Sequence, residues 1–127
     1  MRHILVDSSV WISYFRDENA HERLDELIEN GQICTNELIL AELLPILYLK
    51  RQNEIVGLML ELPKVALIIN WEFIVHLQIG NLKNGINRAG IPDLILVDHV
   101  IANNLILFSE DKHFKLMQEH ANFELLQ

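Results

Sequence analysis

The chain has 127 residues, half of them hydrophobic and 22% charged, which fits one folded domain and excludes a disordered or low-complexity protein. Ten Lys and Arg against eighteen Asp and Glu leave a formal net charge of −8. That balance argues against a protein that coats nucleic acid through bulk positive charge, and no apolar run approaches the roughly 18 residues of a membrane span.

Residues 3–6 read as a short buried strand ending at Asp7, too short for the apolar region of a secretory signal. Ser8 or Ser9 then N-caps a helix carrying Val10, Trp11, Ile12, Tyr14 and Phe15. Polar residues from Arg16 to Asn19 break the pattern. Leu24, Leu27 and Ile28 recur at helical spacing up to Gly31, a natural C-terminal stop. Residues 32–34 fit a second strand. Its Cys34 is the single cysteine, so no internal disulfide forms and a reducing, cytoplasmic compartment is expected. Thr35-Asn36 caps a long helix to about Arg51, in which Pro45 removes one backbone hydrogen bond and kinks the axis. A further apolar helix spans 54–62 and stops at Pro63.

Val65-Ala66-Leu67-Ile68-Ile69 is the clearest strand pattern, and residues 71–87 are helical despite Gly80 and Gly85. Pro92 stands where a helix's first turn tolerates proline, and a helix follows over 93–103. Residues 105–108 are a strand, 112–120 a helix and 123–126 a closing strand. No repeat or linker divides the chain, so residues 1–127 are expected to form a single domain. Wholly apolar strands separated by helices indicate an α/β fold, a three-layer α/β/α sandwich around a parallel sheet.

In such sheets ligands bind beyond the carboxyl ends of the strands, and that rule sorts the acids. Asp7 ends the first strand, Asp111 follows the strand that ends at Phe108, and Asp93 lies in the first turn of its helix. Glu42 sits about two turns into the long helix, between Ala41 and Leu43-Leu44; facing inward it needs a proton, a cation or a donor. Four carboxylates in one crevice repel unless a cation lies among them. An all-oxygen set without a His or Cys cluster suits Mg²⁺ or Mn²⁺ and not zinc. Phosphodiester hydrolysis is the chemistry that most directly uses such a site. Each acid also has a plainer reading: Asp7 and Asp93 as helix-start acids, Glu42 as an exposed helix residue, Asp111 as a turn residue with Glu110 able to replace it.

Four motifs run through nearly the whole chain: Val6-Asp7-Ser8-Ser9-Val10-Trp11-Ile12, Asn36-Glu37-Leu38-Ile39-Leu40-Ala41-Glu42-Leu43, Ile91-Pro92-Asp93-Leu94-Ile95, and Leu107-Phe108-Ser109-Glu110-Asp111-Lys112-His113-Phe114. In this order and spacing the chain resembles the PIN-domain nucleases, and more narrowly the VapC-type toxins of toxin–antitoxin pairs. The resemblance implies a parallel sheet of about five strands and endoribonuclease activity with Mg²⁺ or Mn²⁺. It also implies an RNA substrate, a homodimer and a cognate antitoxin. By position, Asp7, Glu42, Asp93 and Asp111 match the family's acidic quartet. Ser9 takes the polar position after the first aspartate, and Ser109 that of the Thr or Ser two residues before the last.

The helix after Asp93 departs from the family, with Leu94-Ile95-Leu96-Val97 where small residues are usual. Asp98 is about 140° round that helix from Asp93 and is left outside the site. The six histidines, His113 included, read as surface or packing residues. Trp11, Tyr14 and Phe15 read as core or contact residues, offering an apolar surface to an antitoxin. Lys50-Arg51, Arg88, Lys112 and Lys115 read singly as ordinary solvated charges, and together they are able to form a basic rim for phosphates. The alternative function is a non-catalytic regulatory module, PIN-like or receiver-like, that binds protein.

Overall fold

The computed structural model describes residues 2–17 and 21–127. Four strands, β1 (Ile4–Val6), β2 (Ile33–Cys34), β3 (Ile106–Phe108) and β4 (Glu124–Leu126), form one sheet in the order β2-β1-β3-β4. Every pairing is parallel, with Leu5 opposite Cys34 on one side and Leu107 on the other. Parallel neighbours need long crossovers, and helices fill them. α1 (Ser8–Arg16) and α2 (Glu22–Glu29) lie between β1 and β2. α3 (Glu37–Leu49), α4 (Asn53–Glu61), α5 (Trp71–Lys83) and α6 (Ile91–Ala102) lie between β2 and β3, and α7 (Lys112–Met117) precedes β4. The result is the expected α/β/α sandwich. No helix among the described residues is long and apolar enough to cross a membrane.

The core explains the apolar strands. Leu5, Val6 and Leu107 are fully buried, as are Trp11 of α1, Leu94 and Val97 of α6, and Phe114 of α7. Helix α6 is buried from Leu94 to Val100 and packs on both α5 and β3, so its bulky side chains fill core volume. Asn36 and Asn70 start α3 and α5 by accepting the N–H groups of Ile39 and Phe73 at 2.9 and 3.1 Å. Helix α3 runs unbroken through Pro45. The carbonyl of Ala41, which loses its partner there, belongs to an exposed residue and is open to water.

Three expectations need correction. Asp7, and neither Ser8 nor Ser9, is the N-cap of α1, because both serines already lie inside the first turn. Helix α5 ends at Lys83, where Gly85 at φ +74° turns the chain out of the helix; a left-handed residue just past the end is a common helix stop. The segment 65–69 is no strand: it touches the sheet through one parallel bridge, Thr35 with Lys64. Val65, Leu67 and Ile69 pack on the core while Ile68 is exposed, so the alternation of burial is strand-like without a ladder. The sheet thus has four strands and a tethered edge. Helix α1 ends at Arg16, where the polar break begins; residues 18 and 19 of that break lie outside the described residues.

Candidate metal centre

The carboxyl ends of β1 and β3 are adjacent, and Asp7 N–H donates to the Phe108 carbonyl at 2.9 Å. That pairing brings the loops after both strands together. Asp7 is 6% exposed, and four donors hold its carboxylate, the weakest being the Ser8 hydroxyl at 3.4 Å from Oδ1. Oδ1 accepts the Ser8 N–H at 2.8 Å. Oδ2 accepts the hydroxyls of Ser9 at 2.9 Å and Ser109 at 2.8 Å. Both serines also accept backbone N–H groups of the β3–α7 turn, Ser9 from Glu110 at 3.2 Å and Ser109 from Asp111 at 3.0 Å.

Asp93 stands half-buried in the first turn of α6. Burial, and next the charge of Asp111, raise its carboxyl above the ordinary range; Asp7 adds to the rise, while the Gly90 backbone and His113 oppose it. Glu42 lies on an exposed flank of α3, yet its carboxyl is raised too, by burial first and then by Asp7 and Asp93. Glu42 is therefore near enough to Asp7 and Asp93 to be affected by their charge, despite Pro45 one turn on. Asp111 caps α7, its Oδ1 accepting the His113 N–H at 3.0 Å. Asp111 is the acid whose charge Asp93 senses, whereas neighbouring Glu110 is exposed. Asp98 is buried elsewhere, accepting the Asn70 N–H at the start of α5 at 3.1 Å.

His113 corrects the sequence reading, which placed it among surface and packing residues. Its ring and the carboxylates of Asp93 and Asp111 each offer a donor atom within 4.8 Å of the others. Nδ1 lies 3.0 Å from Asp111 Oδ1, but off the line of a hydrogen bond, and has no such partner among the described residues. Its position two residues after a helix-capping acid was the only signal in the sequence. Trp11 takes the core half of its reading: it is fully buried, stacked on Phe15 at 5.9 Å and edge-on to Tyr14 at 6.0 Å, and so is no part of a surface offered to an antitoxin.

The donor set fits a divalent cation. Carboxyls raised by burial and by neighbouring acids are in the state that a cation relieves; the carboxylate oxygens suit hard divalent ions, and the one imidazole admits transition metals as well.

The model of the PIN domain matches residues 4–119. The chain belongs to the PIN-domain family. This PIN domain is similar in structure to the DNA-bound VapBC of Salmonella typhimurium, with a TM-score of 0.75 at 15% identity, over 99% of this chain and 98% of that one. VapBC2 of Rickettsia felis bound to a promoter DNA fragment gives 0.75 at 18% identity, over 97% and 96% of the two chains. VapBC-1 of nontypeable Haemophilus influenzae gives 0.67 at 18%, over 98% and 96%. No curated protein matches the sequence. At these identities the shared feature is the fold.

Proposed function

We propose that this PIN domain is a divalent-metal-dependent endoribonuclease and the toxin of a toxin–antitoxin pair. One observation carries the reading: acids from four distant stretches of chain converge, the carboxyl of Glu42 being raised by burial and by the charges of Asp7 and Asp93, and that of Asp93 by burial and by the charges of Asp111 and Asp7. Nothing in folding requires such a concentration of repulsion, whereas a cation-dependent reaction does. Asp7, Glu42, Asp93 and Asp111 would hold Mg²⁺ or Mn²⁺, with His113 beside them. When bound, the ion supplies a lowered pKa for water and charge compensation at the phosphate. Ser9 and Ser109 keep Asp7 oriented, and Asp111 serves at the rim as ligand or water-orienting base.

Two apolar surfaces support the partners. Ile12 and Phe15 of α1, Ile46 and Leu47 of α3 and Ile55 of α4 line a groove of about 400 Å³ edged by Arg16 and Lys50. An apolar groove with a basic edge suits an amphipathic antitoxin segment; Ile12, and not Trp11, is its exposed apolar residue on α1. Trp71, Val75, Ile79 and Leu82 form an exposed stripe along α5, at the spacing of one helix face, and suit a homodimer.

The test is cleavage of single-stranded RNA with Mn²⁺, with excess EDTA and Asp7→Asn as controls. Cleavage that disappears in both controls supports the reading. RNA left intact by the wild type refutes it and leaves the protein-binding module; RNA cut equally well by Asp7→Asn in EDTA refutes the metal-dependent reading and removes Asp7 from the reaction.

A further inference from the structure

A second feature adjoins the acidic cluster. The loop after α5, with Gly85, Ile86, Asn87 and Arg88, faces His113 and Leu116 of α7 across a hollow of about 210 Å³. His113 belongs to both places, so the hollow begins one side chain away from the carboxylates. Its loop is fixed: Ile86 N–H donates to the Asn81 carbonyl at 2.8 Å, and Gly85 N–H to the Leu82 carbonyl at 3.3 Å. A Cβ built on Gly85 would meet nothing within 4 Å, so that edge of the hollow is open.

Size and lining limit the occupant. The volume is below the roughly 300–1,000 Å³ that encloses a drug-sized ligand, and suits a single planar group. Leu116 offers an apolar wall; the His113 ring and the Arg88 guanidinium are flat surfaces; the Asn87 amide both donates and accepts. A second phosphate would meet one cation, Arg88, close to a cluster of carboxylates. A nucleobase meets stacking planes and an edge-reading amide, the combination by which proteins read unstacked bases in RNA.

Resting on the nuclease reading, we infer that this hollow takes the base of the nucleotide flanking the cut phosphate, making Asn87 and Arg88 determinants of sequence preference. A base enters only when unpaired, so the substrate strand is single-stranded at that position.

The experiment has two arms. In the first, a randomised single-stranded RNA pool is cleaved with Mn²⁺ and the cut ends are sequenced, for the wild type, Asn87→Ala and Arg88→Ala. The wild type should favour one base at a position next to the cut by at least about fivefold, the discrimination expected from one good base-edge contact. In at least one variant that preference should flatten to within about twofold, while Mn²⁺ affinity by calorimetry stays at the wild-type value. In the second, a short oligoribonucleotide is titrated in Ca²⁺ and should shift the amide resonances of residues 85–88. Cleavage with a preference unchanged in both variants, or with no shift in that loop, overturns the inference and leaves the nuclease reading standing. Shifts without any cleavage in Mn²⁺ overturn the nuclease reading and with it the flanking-base role, leaving only RNA binding at the loop; neither shifts nor cleavage overturns that binding too.

Discussion

The hydroxyl of Ser109 ties together two acids that are 104 positions apart: it donates to Asp7 Oδ2 at 2.8 Å and accepts the Asp111 N–H at 3.0 Å. Ser109 is fully buried, so its hydroxyl has no water to take the place of either partner. Ser109→Ala should destabilise the fold by about 1–3 kcal/mol, the usual result of leaving buried polar groups unpaired. It should also weaken Mn²⁺ binding by roughly tenfold or more, as loss of a ligand-orienting partner does. Urea unfolding and calorimetry read the two effects; wild-type metal affinity in this variant would show that Asp7 is held without it.

The raised carboxyls of Glu42 and Asp93 set the sign of a pH effect. A carboxyl raised in the folded state binds protons more tightly there than in the unfolded chain. The metal-free fold therefore loses stability as pH rises through the carboxylate range and regains it as pH falls back through the raised values. Glu42→Gln and Asp93→Asn should each raise the metal-free melting temperature at pH 7. Mn²⁺ at a hundred times its dissociation constant should stabilise the wild type by about 2.7 kcal/mol, and by less at pH 5, where protons compete. Thermal melts of the three proteins with and without Mn²⁺ test this; variants that melt lower than the wild type without metal would show no repulsion to relieve.

Gly80 decides between two opposed effects. Glycine inside a helix is about 1 kcal/mol less favourable than alanine, but a Cβ at position 80 would lie 2.5 Å from His120 Nδ1. His120 Nε2 in turn meets the Oδ1 of buried Asn81 at 2.6 Å. Overpacking should win: Gly80→Ala should destabilise by roughly 1–3 kcal/mol. Adding His120→Ala should recover part of the loss, measured as non-additivity in a double-mutant cycle. A stabilised single variant would contradict the contact.

His99 is 1% exposed, and neither ring nitrogen has a hydrogen-bond partner among the described residues. Burial lowers its pKa, against a smaller opposing pull from Asp98. The unfolded chain protonates this ring near its ordinary value of about 6.5, so its contribution is present above that pH and is lost as pH falls below it. His99→Leu should lose less stability between pH 7.5 and 5.5 than the wild type, as read from urea midpoints. Parallel losses would place the pH sensitivity elsewhere.

Much of this site was legible because strand ends and helix starts have strong sequence signals. Apolar β1 and β3 mark where Asp7 and Asp111 must stand, and Pro92 marks the turn that carries Asp93. The register of Glu42 was legible through its motif, not through its surroundings, since an exposed acid on a helix has no distinctive pattern. Residues 65–69 misled because a run of apolar and β-branched residues reports side-chain contact with the core and is silent about backbone partners. His113 was missed because its approach to Asp93 joins α7 to α6, a tertiary contact that no local spacing encodes. Trp11 was legible as a core or contact residue, but three adjacent rings pack as well inward as outward, so the sequence did not say which of them would be buried.

The most direct measurement is anomalous diffraction from crystals soaked in Mn²⁺, for the wild type and Asp7→Asn. The expected result is a peak bonded to Asp7 and Asp93, within reach of Glu42 and Asp111, that vanishes in the variant. No peak among these carboxylates, or one that persists undiminished without the Asp7 charge, would contradict the metal centre.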